Sequence, residues 1–133
     1  MPEIGAEVIE RPADFIWFSK DNILCSVPKE KAVELTMEES MKQIEEWEAE
    51  HADKKYWMLS VVNPHAKSSK EQRDWAAEIL PKYVHGIACI NDSALGRMAI
   101  NLFIGLRPPT YPLKMFKSSE EAFEWINQNR TDE

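Results

Sequence analysis

Short apolar runs and helical stripes alternate along this chain, and turn residues separate them. Phe15 to Phe18 and Ile23 to Val27 flank Ser-Lys-Asp-Asn and predict a hairpin with a four-residue turn, closed by Pro28. Thr36-Met-Glu-Glu39 is a capping box, and Met37, Met41, Ile44 and Trp47 follow at spacings of three and four, which predicts an amphipathic helix to about His51. Tyr56 to Val62 is almost continuously apolar, as in a central strand covered on both faces. After a loop from Asn63 to Lys67, Ser68 faces Glu71 and Ser69 faces Gln72. Either serine could cap a second helix that carries Trp75, Ala76, Ile79 and Leu80 and ends at Pro81. His85 to Ile90 predicts a further buried strand, with Asn91, Asp92 and Ser93 as cap candidates for a third helix that Pro108 and Pro109 stop. Tyr111 to Phe116 reads as a peripheral strand, because Pro112 cannot donate a ladder bond. Ser118-Ser-Glu-Glu121 then caps a closing helix with Ala122, Phe123, Trp125 and Ile126 on its stripe, and the tail after Gln128 is polar.

The order β-β-α-β-α-β-α-β-α, with strands two to five joined through helices, predicts an α/β domain. Its expected core is a mixed, mostly parallel five-stranded sheet with four helices, in which the first strand adds an antiparallel edge. The expected boundaries are an amino-terminal extension over 1–14, the domain over 15–128 and a polar tail over 129–133. No internal repeat interrupts this plan.

The third helix departs from the usual surface pattern. Over Ser93 to Leu106 its strongly polar interior residues are Arg97 and Asn101, and apolar residues occupy nearly every face. With Leu95, Met98, Ala99, Leu102 and Leu106 turned to a core, Ile100, Phe103 and Ile104 need cover from a partner or a ligand. Arg97 and Asn101 share a face, with Ser93 one turn before. Arg97 has two readings: an anion or headgroup contact, helped by Asn101 and Ser93, or a structural arginine paired with Asp92 or Asp74.

Composition narrows the function classes. A chain of 133 residues with 44% hydrophobic and 29% charged residues fits one domain that buries roughly two thirds of its unfolded surface. A net charge of −7 and a pI near 5.0 oppose nonspecific binding to nucleic acid or an anionic membrane. The start, MPEIGAEVIERPAD, lacks the form of a signal peptide, and the third helix is too short and too charged to span a bilayer, so the expectation is a cytoplasmic protein that is not transmembrane. Cys25 and Cys89 sit in strand-like runs and read as buried hydrophobes rather than a redox pair. His51, His65 and His85 have no ligand spacing, no glycine-rich phosphate loop occurs, and no nucleophile elbow surrounds a serine such as Ser60 that could join Asp92 and His65 or His85. Metal, cofactor and catalytic residues are therefore not expected. Glu38, Glu39, Glu45, Glu46, Glu48 and Glu50 fit the solvated face of the first helix.

The element order, the helix-two start SSKEQRDWA, the helix-three segment SALGRMAINLFIGLRPP, and the YPLKMF and SSEEAFEWI segments resemble the SpoIIAA-like superfamily over about residues 15 to 128. That group holds the STAS domains of anti-sigma-factor antagonists and, more remotely, the CRAL-TRIO lipid-binding domains; small uncharacterised STAS-like bacterial proteins are the nearest in pattern. The resemblance implies a non-enzymatic interaction protein whose serine at the start of helix two, here Ser68 or Ser69, receives phosphate from an anti-sigma-type kinase. The sequence differs from the phosphorylated motif, with Lys67 in place of the acid and Lys70 in place of the glycine. The expectations are thus a regulatory protein acting through helix three and the start of helix two, as a homodimer or with a protein partner. The other reading is a carrier with a small apolar ligand beside helix three.

Overall fold

Ser19 shows how locally the first hairpin is set. Its Oγ accepts from the backbone N–H groups of Asp21 (3.3 Å) and Ile23 (3.1 Å), and Asn22 takes the left-handed conformation, φ 63°, that such a turn requires. The strands on either side are Asp14–Phe18 and Leu24–Pro28. The computed structural model describes residues 7–31, 34–52, 54–62, 69–98 and 109–130.

The strands are β1 (Ile9–Glu10), β2 (Asp14–Phe18), β3 (Leu24–Pro28), β4 (Tyr56–Val61), β5 (Val84–Ile90) and β6 (Leu113–Phe116). They form one six-stranded mixed sheet in chain order, with β1–β2 and β2–β3 antiparallel and every later pairing parallel. The expected count of five strands is corrected by β1. Ile9 and Glu10 pair with Ile16 and Phe15, so part of the expected extension belongs to the sheet. Arg11 holds this addition by a bidentate bond to Asp14, both contacts 2.7 Å, and the hydroxyl of buried Ser26 donates to the same carboxylate at 2.9 Å.

The helices are α1 (Met37–His51), α2 (Lys70–Ile79), α3 (described over 94–98) and α4 (Ser119–Asn129). Thr36 caps α1 through a complete capping box, as its spacing predicts. Of the two serines before α2, Ser69 is the cap, its Oγ accepting from Gln72 N at 3.1 Å while the Gln72 side chain accepts from Ser69 N at 3.3 Å. Ser68 lies outside the described residues. Ser118 caps α4. Among the described residues, no helix is long and apolar enough to cross a membrane.

Alternation along the strands divides the core in two. Trp17, Cys25, Trp57, Leu59, Ala88 and Ile90 face one side, where α4 covers them with Ala122 and Ile126. Ile16, Leu24 and Tyr56 face the other side beneath Trp47 of α1, and Ile87, Cys89 and Met115 continue that side beneath Leu80. Trp57 lies across its neighbouring strand at Gly86, where a Cβ would stand 2.3 Å from the indole ring. Only glycine leaves room for that crossing.

Candidate functional site

Four parallel strands in chain order, β3 to β6, bring their carboxyl ends to one edge of the sheet, the edge at which α/β proteins place ligands and partners. Asn91, one residue past β5, joins three of those ends. Its backbone N–H donates to Phe116 O (3.1 Å), its side-chain amide donates to Val62 O (3.3 Å), and its Oδ1 accepts from Ser93 N (2.8 Å). It is 4% exposed, so these bonds are made away from water.

The same residue sets the start of α3. Ser93 is the cap, with its Oγ accepting from Gly96 N at 3.3 Å. Gly96 packs directly on Asn91, since a Cβ there would meet the amide at 2.9 Å. Arg97 donates from Nη1 to Asn91 O at 2.8 Å. Among the described residues the partner of Arg97 is thus a backbone carbonyl and not Asp92 or Asp74, and the bond uses one nitrogen of the guanidinium.

With Gly96 facing inward, Leu95 and Met98 face outward. Leu95 is 76% and Met98 68% exposed, which corrects the expectation that both turn to the core. The reason is steric: the first turn of α3 rests on Asn91, and only its smallest side chain fits there. The apolar surplus of this helix is thus exposed in its described first turns. Ile100, Asn101, Phe103 and Ile104 lie outside the described residues.

Ser69 is exposed at the start of α2, on the same edge. Lys70 beside it pairs with Asp74 at 2.8 Å, and Gln72 Nε2 donates to Leu35 O, which ties this end of α2 to the segment before α1.

Other imagined constellations are dispersed. His85 is the second residue of β5 and Asp92 lies seven positions on, past its far end, which separates them by roughly 20 Å at the usual rise; His65 lies outside the described residues. Among the described residues no cluster of potential metal ligands occurs. Cys25 and Cys89 are free and face opposite sides of the sheet, which rules out their pairing with each other. Burial pushes the Cys25 thiol up to about 11 and the Cys89 thiol up to about 12. Glu38, Glu39, Glu45, Glu46, Glu48 and Glu50 are exposed on α1, as their pattern predicts.

A groove of about 420 Å³ does exist, but it lies between the β1–β2 hairpin and α1, with Ile9, Pro12, Ile16, Trp47 and His51 among its walls. No periodic pattern or motif in the sequence marks this groove. Its apolar wall includes Ile9, in a segment taken for an extension, and its rim uses glutamates that a helical pattern assigns to solvent. Asn91 likewise reads in the sequence only as a cap candidate, since no local motif marks it as the junction of three strand ends.

A family described as a domain of unknown function (DUF7793) matches residues 16–130. A solved protein of unknown function from Arthrobacter sp. FB24 is 21% identical, with the match covering 84% of this chain and 97% of that one at a TM-score of 0.30. No curated protein matches the chain.

Proposed function

The chain belongs to the DUF7793 family, and from that premise we propose that it is a non-enzymatic, cytoplasmic interaction protein of the STAS-like kind that works as a homodimer through α3. The exposure of Leu95 and Met98, at 76% and 68%, carries this reading. Two large apolar side chains one turn apart on a helix held rigidly at its first turn form the start of a self-complementary stripe, and a two-fold axis lets one copy bury the stripe of the other. The chain-order sheet, with parallel pairings from β3 onward and helices entering at one edge, supports the SpoIIAA-like kinship. Ser69, exposed at the same edge as α3, suits a regulatory serine beside the interface. A phosphate there would meet the amide end of α2, where negative charge is favoured.

Native mass spectrometry over a dilution series tests the reading. The expected result is a dimer at micromolar concentration that becomes a folded monomer in Leu95→Asp/Met98→Asp. A wild-type chain that stays monomeric throughout that range, or a dimer indifferent to both substitutions, overturns it.

A further inference from the structure

The groove between the hairpin and α1 has the makings of a small-molecule site of a definite chemical kind. Its volume, about 420 Å³, lies in the range of ordinary ligand sites. The floor is apolar, built by Ile9, Ile16 and the indole of Trp47, and Trp47 stacks on His51 with ring centroids 4.0 Å apart. Phe18 and Tyr56 back these rings at 6.2 Å from Trp47, so the aromatic wall is supported from behind.

The rim is acidic. Glu10, Glu39, Glu46 and Glu50 line the groove against Lys42 and Arg11. Arg11 is committed to Asp14, Glu10 to Lys29 and Glu39 to the capping box of Thr36. Glu46 makes no ion pair among the described residues, and Glu50 reaches only the His51 ring at 3.9 Å, with its side chain 75% exposed. A third observation is independent of charge: Trp47 Nε1 is buried and has no acceptor among the described residues. A buried donor left unbonded is costly, and a bound acceptor relieves it.

We propose that this groove binds a small organic cation with an apolar body and a hydrogen-bond acceptor, such as a quaternary ammonium ester. The aromatic wall and the Glu46 and Glu50 carboxylates favour the positive charge, while Ile9 and Ile16 accept the apolar part. The acceptor satisfies the Trp47 N–H once the indole turns to bring that buried donor to the groove. Carboxylates outnumber Lys42 and Arg11 on the rim, so a cation gains more from it than an anionic or neutral ligand of the same shape.

An NMR titration of the full chain with butyrylcholine tests this, following the Trp47 indole N–H. That resonance is assigned with Trp47→Phe or, where the variant fails to fold, by through-space contacts to Ile9 and Ile16. The expected result is a saturable shift of the Trp47 indole, with the neutral isostere 3,3-dimethylbutyl butyrate binding about fivefold more weakly or worse. Glu46→Gln/Glu50→Gln alters exposed groups only, so it keeps the fold. It should weaken the cation by a similar factor and leave the isostere unchanged. Equal affinity for cation and isostere, unchanged cation affinity in the double variant, or a Trp47 indole that stays still at millimolar butyrylcholine each overturns the proposal.

Discussion

The two faces of the sheet are built to different standards. On one, α4 sets Ala122 and Ile126, both 0% exposed, against Ile23, Cys25, Leu59 and Ala88, which are equally dry. On the other, α1 and α2 contribute no buried residue at all, and Met41 of α1 is 47% exposed. Both kinds of helix carry an apolar stripe and a hydroxyl cap, so local sequence quality does not separate them. What differs is the partner surface: α4 has a closed layer to fill, whereas α1 shares its side of the sheet with a groove. Dry packing is concentrated under α4, and exposed apolar side chains and the groove lie on the opposite face and at α3. Proteins commonly separate the two in this way, because the elements that contact ligands are drawn from the less stable part of the fold.

Truncation on each face gives the largest expected contrast. Ile126→Ala should cost about 3 kcal/mol by urea denaturation, in the range for emptying a fully buried aliphatic site. Ile44→Ala on α1, where the side chain is only half-buried, should cost about 1 kcal/mol or less. Equal losses would break the comparison. A smaller effect sharpens it at one contact: Gly86→Ala should destabilise by about 2 kcal/mol, since the added carbon would stand 2.3 Å from Trp57, a member of the α4 core. A neutral outcome would mean that the tryptophan can shift and that this core is looser than its burial implies.

The thiols give the finest test, one on each face. Each titrates from an ordinary value of 9.0 to about 11 for Cys25 and about 12 for Cys89. From pH 9 upward, the unfolded chain therefore loses these protons first. Folded stability should fall as pH rises from about 9 to the folded values and level off above them, because folding favours the protonated thiols. At pH 8 neither thiol should react with iodoacetamide without opening of the fold. Mass mapping of slow alkylation should find Cys89 labelled ahead of Cys25, since the α1 and α2 side opens at lower cost. The reverse order would place the weak face under α4.

Much of this architecture is legible in the residues. Thr36, Ser118 and the paired serines before α2 mark three helix starts because capping is local chemistry, decided within four positions. The strands from Phe15 to Val62 are legible because alternation and continuous apolar runs report burial directly. Ile9–Glu10 is not, since two residues carry no period and join the sheet only because Arg11 and Asp14 fold the segment back. The facing of α3 is also invisible in the sequence. An all-round apolar helix has no stripe to orient it, and the deciding contact, Gly96 on Asn91, depends on where three strands end. Ser69 and Ser93 were visible as hydroxyls at helix starts. The acidic and aromatic groove was not, because its walls come from segments about thirty residues apart in the chain.

The short strand β1 also has a protective consequence. Its two rungs cover the outer edge of β2, whose sequence Asp-Phe-Ile-Trp-Phe is the sort of β-prone segment that recruits other chains when its backbone is left open. A chain begun at Ala13 would keep β2 and the whole family region and lose that guard, together with the Arg11 clamp. Such a shortened protein would be prone to join edge to edge and precipitate, so β1 and the Arg11 that anchors it act as a solubility device for the sheet that follows them.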